Sequence, residues 1–212
     1  FTASVFDPDT VSKNTLYSEG YGALEVMNDS DFTSNRDDTV NDWFALLNGG
    51  KSIWAVGNSD RHKVSTGPVG YPRNCLAVGT DDPSTLTAEH VRDVLRAGAN
   101  TVSGGIYLDV KSPTGSGPGT TSTEGAYAVT IRAVPWVGVD SLEVIVDGES
   151  VQTIPLTAKE TTPAQRFEET ISVAPKSSRA RHWVVFHVRG KGDLAPLYPK
   201  RNAFAVSNPI FF

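Results

Sequence analysis

Asp60 and His62 stand one residue apart, just after the apolar run Ile53-Trp54-Ala55-Val56 and the polar exit Gly57-Asn58-Ser59. A carboxylate oxygen and an imidazole nitrogen at this spacing are a donor pair for a divalent metal such as Zn, Mn or Fe. A buried strand that ends this way delivers ligands where the chain leaves the core. Asp60 is also the candidate catalytic residue, since a carboxylate at such a site can take a proton from an activated water. Two ligands do not complete a catalytic centre, which takes three or more protein ligands.

Other residues could serve the same corner. Glu25 lies in the apolar stretch Tyr21 to Asn28. A lone buried carboxylate is costly, so Glu25 must be paired, hydrogen-bonded or near a metal. With Asn58, it is a candidate for orienting a ligand or a water behind the metal. Tyr71 and Arg73 sit on the Gly- and Pro-rich loop that follows, and Arg61 flanks His62, as does Lys63. Arginine clamps phosphate oxygens bidentately, so Arg73, Tyr71 and Arg61 are candidate substrate contacts; Arg73 reads equally well as a surface salt bridge. Ser59 lacks the Gly-x-Ser-x-Gly surround of a nucleophile elbow. Cys75, the single cysteine, permits no intrachain disulfide and reads as a buried strand thiol rather than a nucleophile, with no His near it in sequence. His90 reads as an exposed helix residue. His182 and His187 fall on alternate faces of one strand and read as structural or exposed.

These residues need elements to hold them. Val40, Trp43, Phe44 and Leu47 recur at helical spacing and predict a helix from Asp38 or Thr39 to about Asn48, closed by Gly49-Gly50. Strand, helix and strand with short loops make a βαβ unit with parallel strands. A strand is expected at Cys75 to Val78. A second helix is expected over Ala88 to Ala97, capped by Thr87 and ended by Gly98, with Leu86 and Val91 as a hydrophobic staple. From Asn100 the texture changes. Thr101 to Val110 predicts a strand kinked at Gly104-Gly105, and 111–124 a polar loop. Strands are then expected at Ala126 to Val134, Ser141 to Val146, Val151 to Leu156, Phe167 to Val173 and His182 to Val188, with Ala203 to Phe212 strand in part. Asp147-Gly148 is a strong hairpin signal, and short alternating strands at this spacing read as a β-sandwich. The fold class is therefore α/β plus all-β, with an α/β portion at 1–105 and a β-sandwich at 106–212.

The net charge of −5 over 212 residues argues against a nucleic-acid partner, and no run reaches the length of a membrane span. No signal-peptide pattern opens the chain, and no compartment is assigned. Three parallel strands leave an open edge. Either the sandwich covers the α/β portion, or that portion is the tail of a larger barrel whose first strands lie upstream of Phe1. The sequence favours the second, since it begins without Met and its ligand set is incomplete.

Gly57-Asn58-Ser59-Asp60-Arg61-His62 resembles the last metal-binding motif of the PHP (polymerase and histidinol phosphatase) superfamily, and the chain looks most like its CehA/McbA-like branch. Ala23-Leu24-Glu25-Val26, Asp42 to Asn48, Gly70-Tyr71-Pro72-Arg73 and Phe204 to Ile210 match that branch in order. The resemblance implies the C-terminal strands and helices of a distorted (β/α)7 barrel followed by a small β-sandwich. It implies a metal-dependent hydrolase of small-molecule phosphoesters or other esters, with Asp60 and His62 as ligands. The remaining ligands of that family, a His-x-His pair among them, lie earlier in the barrel. None occurs here, and no His precedes His62. The expected partner is thus the N-terminal barrel segment of the same polypeptide, and the chain alone is expected to be inactive, with no metal of its own. The alternative is a non-enzymatic sandwich module for sugar or protein with a remnant α/β segment, in which Trp136, Tyr127 and Trp183 could line a ligand face.

Overall fold

In a computed structural model, the structure describes residues 6–7, 12–13, 18 and 20–212, apart from 64–68, 124, 157–163 and 176–177. Two short strands, β1 (Phe6–Asp7) and β2 (Ser12–Lys13), pair antiparallel in the stretch the sequence presents as irregular. The turn expected after Asp7, at 8–10, lies outside the described residues.

The βαβ unit forms as its pattern requires. β3 (Ala23–Asn28) and β4 (Trp54–Asn58) are parallel neighbours joined through α1 (Thr39–Asn48). Val40, Trp43, Phe44 and Leu47 are all buried, and the Trp43 indole donates to the Ile53 carbonyl at 2.9 Å, locking the helix to the entry of β4. Gly50, at φ +81°, is the left-handed residue beyond the helix end. The second helix, α2 (Ala88–Arg96), has its first turn capped by Thr87, whose hydroxyl accepts from His90 N. Its Val91, Val94 and Leu95 are half-buried, as is His90. Gly98 has φ +69°, and a Cβ there would lie 2.3 Å from the Trp54 ring, so the close approach of this turn to β4 requires glycine.

The next strand departs from the parallel pattern. β5 (Arg73–Leu76) pairs antiparallel with β6 (Asn100–Gly104), and both join a seven-stranded antiparallel sheet. Its other members are β9 (Gly138–Val146), β10 (Glu149–Pro155), β12 (Trp183–Leu194), β13 (Tyr198–Ser207) and β14 (Ile210–Phe211). The order is β10-β9-β12-β13-β6-β5, with β14 on β12. The expectation of three parallel strands is therefore corrected to two among the described residues. Asp147 (φ +53°) and Gly148 (φ +93°) turn β9 into β10, both in the left-handed region that a two-residue hairpin loop of type I′ needs. At Gly104-Gly105 the chain leaves this sheet for a second one, β7 (Ile106–Lys111), β8 (Ala126–Ala133) and β11 (Gln165–Ser172), ordered β11-β8-β7. The division expected at residue 105 falls at that crossing, while the large sheet takes strands from both sides of it.

The large sheet is the middle of three layers. On one face, Phe186 of β12 meets Tyr127 of β8 edge-on at 5.7 Å, joining the two sheets as a sandwich. On the other face, Trp183 packs against Phe44 of α1 at 4.9 Å, His187 against Phe32 at 4.3 Å, and Phe211 edge-on against Trp54 of β4 at 6.1 Å. Residues Trp183 to Val188 are consequently buried on both sides of the strand. The alternation of buried and solvated residues expected for β12 does not occur, because the βαβ unit occupies the face that water would otherwise wet.

Candidate functional site

The candidate site is the end of the parallel pair. Asn28 and Asn58 are its last paired residues, and Asp29 N still donates to the Asn58 carbonyl at 2.9 Å. Both chains then turn sharply. Asp29 and Asp60 have φ of +45° and +44°, left-handed conformations that aspartate tolerates better than most residues. The turn at Asp60 sends Arg61 away from its two neighbours. Asp60 and His62 point to solvent, 51% and 80% exposed, with His62 Nε2 3.1 Å from Asp60 Oδ1. Arg61 folds inward and places Nη2 2.9 Å from Asp29 Oδ1.

Glu25 and Asn58 do come together. Asn58 Nδ2 donates to Glu25 Oε1 at 2.6 Å, and Asn28 Nδ2 to Oε2 at 3.0 Å. The expected burial cost of Glu25 does not arise, because its side of β3 is exposed. Asn74 Nδ2, from β5, lies 3.5 Å from Asn58 Oδ1, so Asn58 is held between two strands.

Tyr71 is fully buried and its hydroxyl donates to the Asn202 carbonyl at 2.7 Å. Burial, with Asp31 nearby, pushes the phenol pKa well above its ordinary value, so the group stays a neutral donor. What Tyr71 turns toward the site is its ring, which lies under the Arg201 guanidinium at 5.9 Å. Arg73 opens β5 as an exposed residue. Cys75 is half-buried, and burial raises its thiol pKa, the reverse of an activated nucleophile.

Sequence reasoning missed two residues here. Asp29 follows β3 as Asp60 follows β4, so the same strand-end logic points to it. Arg201 gave no local signal. It belongs to β13, yet its Nη2 lies 2.5 Å from Asp29 Oδ2. His182 and His187 are both buried, each against a carboxylate, Asp147 at 2.6 Å and Glu143 at 3.0 Å. Tyr127 and Trp183 are core residues, while Trp136 is 52% exposed.

A divalent cation fits the chemistry of Asp60 and His62, a hard oxygen and an imidazole nitrogen facing each other at the surface. No group of three or more His, Cys, Asp or Glu placed to hold a metal occurs among the described residues. No described helix is long and apolar enough to cross a membrane. Comparison with known protein families, with characterised proteins and with solved structures finds no match to this chain.

Proposed function

We propose that this chain is the C-terminal part of a metal-dependent hydrolase of phosphoesters or related esters, similar to the CehA/McbA-like branch of the PHP superfamily. In this reading β3, α1 and β4 are closing elements of a distorted (β/α)7 barrel, and the N-terminal barrel segment of the same polypeptide brings the remaining ligands. The observation that carries it is the meeting of Asp60 and His62, 3.1 Å apart and open to solvent, at the carboxyl end of a parallel βαβ pair. Ligands of α/β enzymes cluster at such strand ends. The sheet edges support the same reading. The outer edge of β4 is closed by asparagine side chains, whereas no strand pairs with the outer edge of β3 among the described residues. Further parallel strands would add there.

Asp60 and His62 would hold the cation. When bound, it would lower the pKa of a coordinated water and offset charge developing on the ester oxygens. Asp60 would also accept the proton of that water. Glu25, fixed by Asn28 and Asn58, is a hydrogen-bond acceptor beside the same strand end and can orient a water. The test is the full-length gene product, assayed for bound metal and for hydrolysis of aryl phosphate mono- and diesters and aryl esters. The expected result is metal-dependent turnover that Asp60→Ala abolishes. Equal activity of Asp60→Ala and wild type on every substrate would overturn the proposal.

One observation favours a second reading, a sandwich that binds sugar or protein. The buried Arg166 guanidinium donates to the carbonyls of Val134, Pro135 and Val137 at 3.1, 3.2 and 3.2 Å. It thereby fixes the loop that displays Trp136 outward. Retention of the chain on a glycan array, lost in Trp136→Ala, would favour this reading.

A further inference from the structure

The substrate class proposed above is anionic, yet the corner that would receive it carries Glu25, Asp29, Asp31 and Asp60. Four carboxylates repel a phosphate unless cations meet it. We infer that Arg201, delivered by the antiparallel sheet rather than by the parallel strands, is the oxyanion-binding residue of this site, with Arg61 beside it. The inference rests on the hydrolase reading and deepens it by naming what recognises the anionic group of the substrate.

The geometry is specific. Asp29 takes Arg61 Nη2 on Oδ1 at 2.9 Å and Arg201 Nη2 on Oδ2 at 2.5 Å, so one carboxylate sets two guanidiniums side by side. One carboxylate thus orients both guanidiniums and takes one N–H of Arg201, which leaves further donors of that fork for an incoming anion. Asp31, also near the Tyr71 phenol, takes neutral donors. Its Oδ2 accepts from the Asn202 amide at 3.2 Å, and its Oδ1 from Ser34 N at 2.8 Å.

Arg201 is also free to act. A guanidinium has five N–H donors, and among the described residues Asp29 is the hydrogen-bond partner of Arg201. Its side chain is 35% exposed and thus within reach of a solute. The Tyr71 ring beneath it and the Asp29 carboxylate beside it hold the fork in one orientation, which lowers the entropic cost of binding a planar or tetrahedral oxyanion. Arg61 lies between Asp60 and His62 in sequence, so its backbone ties the paired guanidiniums to the turn that carries the candidate metal ligands.

Inorganic phosphate, titrated into the 212-residue chain and followed through arginine side-chain NMR signals, tests this directly, with acetate as a second arm that separates phosphate from carboxylate recognition. Saturable shifts of the Arg201 and Arg61 signals are expected, together with about tenfold weaker binding in Arg201→Met, the worth of one charge-assisted hydrogen bond. Arg201→Lys, which keeps the charge without the fork, should weaken binding less, and Arg92→Met, on the exposed face of α2, should leave it unchanged. Phosphate binding equal in wild type and both Arg201 variants overturns the inference, as does a wild-type titration that leaves the Arg201 signal unmoved. The wild-type result does not depend on the variants folding. The two readings also fail separately. Full-length enzyme that needs Asp60 but keeps its KM in Arg201→Lys and Arg201→Met overturns the anion site and leaves the hydrolase. Arg201-dependent phosphate binding in a protein without hydrolytic activity overturns the hydrolase and leaves the anion site.

Discussion

His187 is fully buried, and its Nδ1 lies 3.0 Å from Oε2 of Glu143, its cross-strand neighbour. Its Nε2 is buried without a partner. An imidazolium would leave a charged N–H unsolvated there, so the ring is neutral and donates Nδ1–H to the ionised carboxylate. Burial pushes the imidazole pKa below its ordinary value, and Arg189 and Arg36 oppose the proton further. The hydrogen bond from His187 is the main cause that holds Glu143 down to about 2. Both shifts act on stability in the same direction. Below about pH 6.5 the unfolded chain takes up an imidazole proton that the native chain refuses, so stability falls with pH from there. Glu143 adds a further loss as pH falls from the ordinary glutamate range toward 2. Urea unfolding midpoints should therefore hold steady from about pH 8 to 7 and decline below about 6.5. His187→Gln, which cannot titrate, should lose the part of that decline between about pH 6.5 and 5. A midpoint that rises on acidification through this window contradicts the neutral assignment.

Element by element, the most unusual device is the closure of β4. Ala55 N donates to Asn208 Oδ1 at 2.7 Å and Asn208 Nδ2 returns to the Ala55 carbonyl at 3.1 Å. Two residues on, Gly57 N donates to Asn74 Oδ1 at 3.1 Å and Asn74 Nδ2 to the Gly57 carbonyl at 3.0 Å. Two side-chain amides thus imitate the strand that would otherwise pair with this edge. Asn208→Leu leaves buried Ala55 N without its acceptor, and chemical denaturation should show a loss of about 2–4 kcal/mol, summing roughly 1–3 for the orphaned donor with the broken bonds to Asn100. Gly57 is constrained for a different reason. A Cβ there would sit 2.4 Å from Val102 Cγ1. Gly57→Ala should cost about 1–3 kcal/mol by overpacking, and Val102→Ala should restore part of it, a coupling that a double-mutant cycle reads directly. These contacts mark the boundary of what the sequence can tell. The buried face of α1, the glycine after α2, the Asp147-Gly148 hairpin and the Asp-x-His at a strand end are all written within a few residues, and all are present. Asn208 and Arg201 act on residues 153 and 172 positions away, and nothing local announces them. The double burial of β12 was legible in part. Trp183-Val184-Val185-Phe186-His187-Val188 is a continuous apolar run broken only by histidine, the pattern of a strand covered on both faces.

At the scale of the whole molecule, that double burial makes the two portions of the chain interdependent. The central sheet presents Trp183, His187 and Phe211 to the βαβ unit, and Phe204 to Tyr71 in the loop that follows it. It also takes β5 and β6 from residues before 105 as its own edge strands. Residues 106–212 alone would keep the sandwich contact at Tyr127 and Phe186 but would expose the opposite face and the inner edge of β13, from which β6 is removed. An exposed apolar face beside an unpaired strand edge favours association over folding. The fragment 106–212 should therefore be aggregated or bind a hydrophobic dye, without a sharp thermal transition. The full 212-residue chain should unfold in one cooperative step, with tryptophan fluorescence and far-ultraviolet circular dichroism coincident, because Trp43, Trp54 and Trp183 report on the layer contact while the dichroism reports on the sheets. A soluble 106–212 fragment with a sharp transition of its own would show that the sandwich does not need its cover. The Asp29–Arg201 contact would then be a docking of two independent bodies rather than a consequence of one shared sheet.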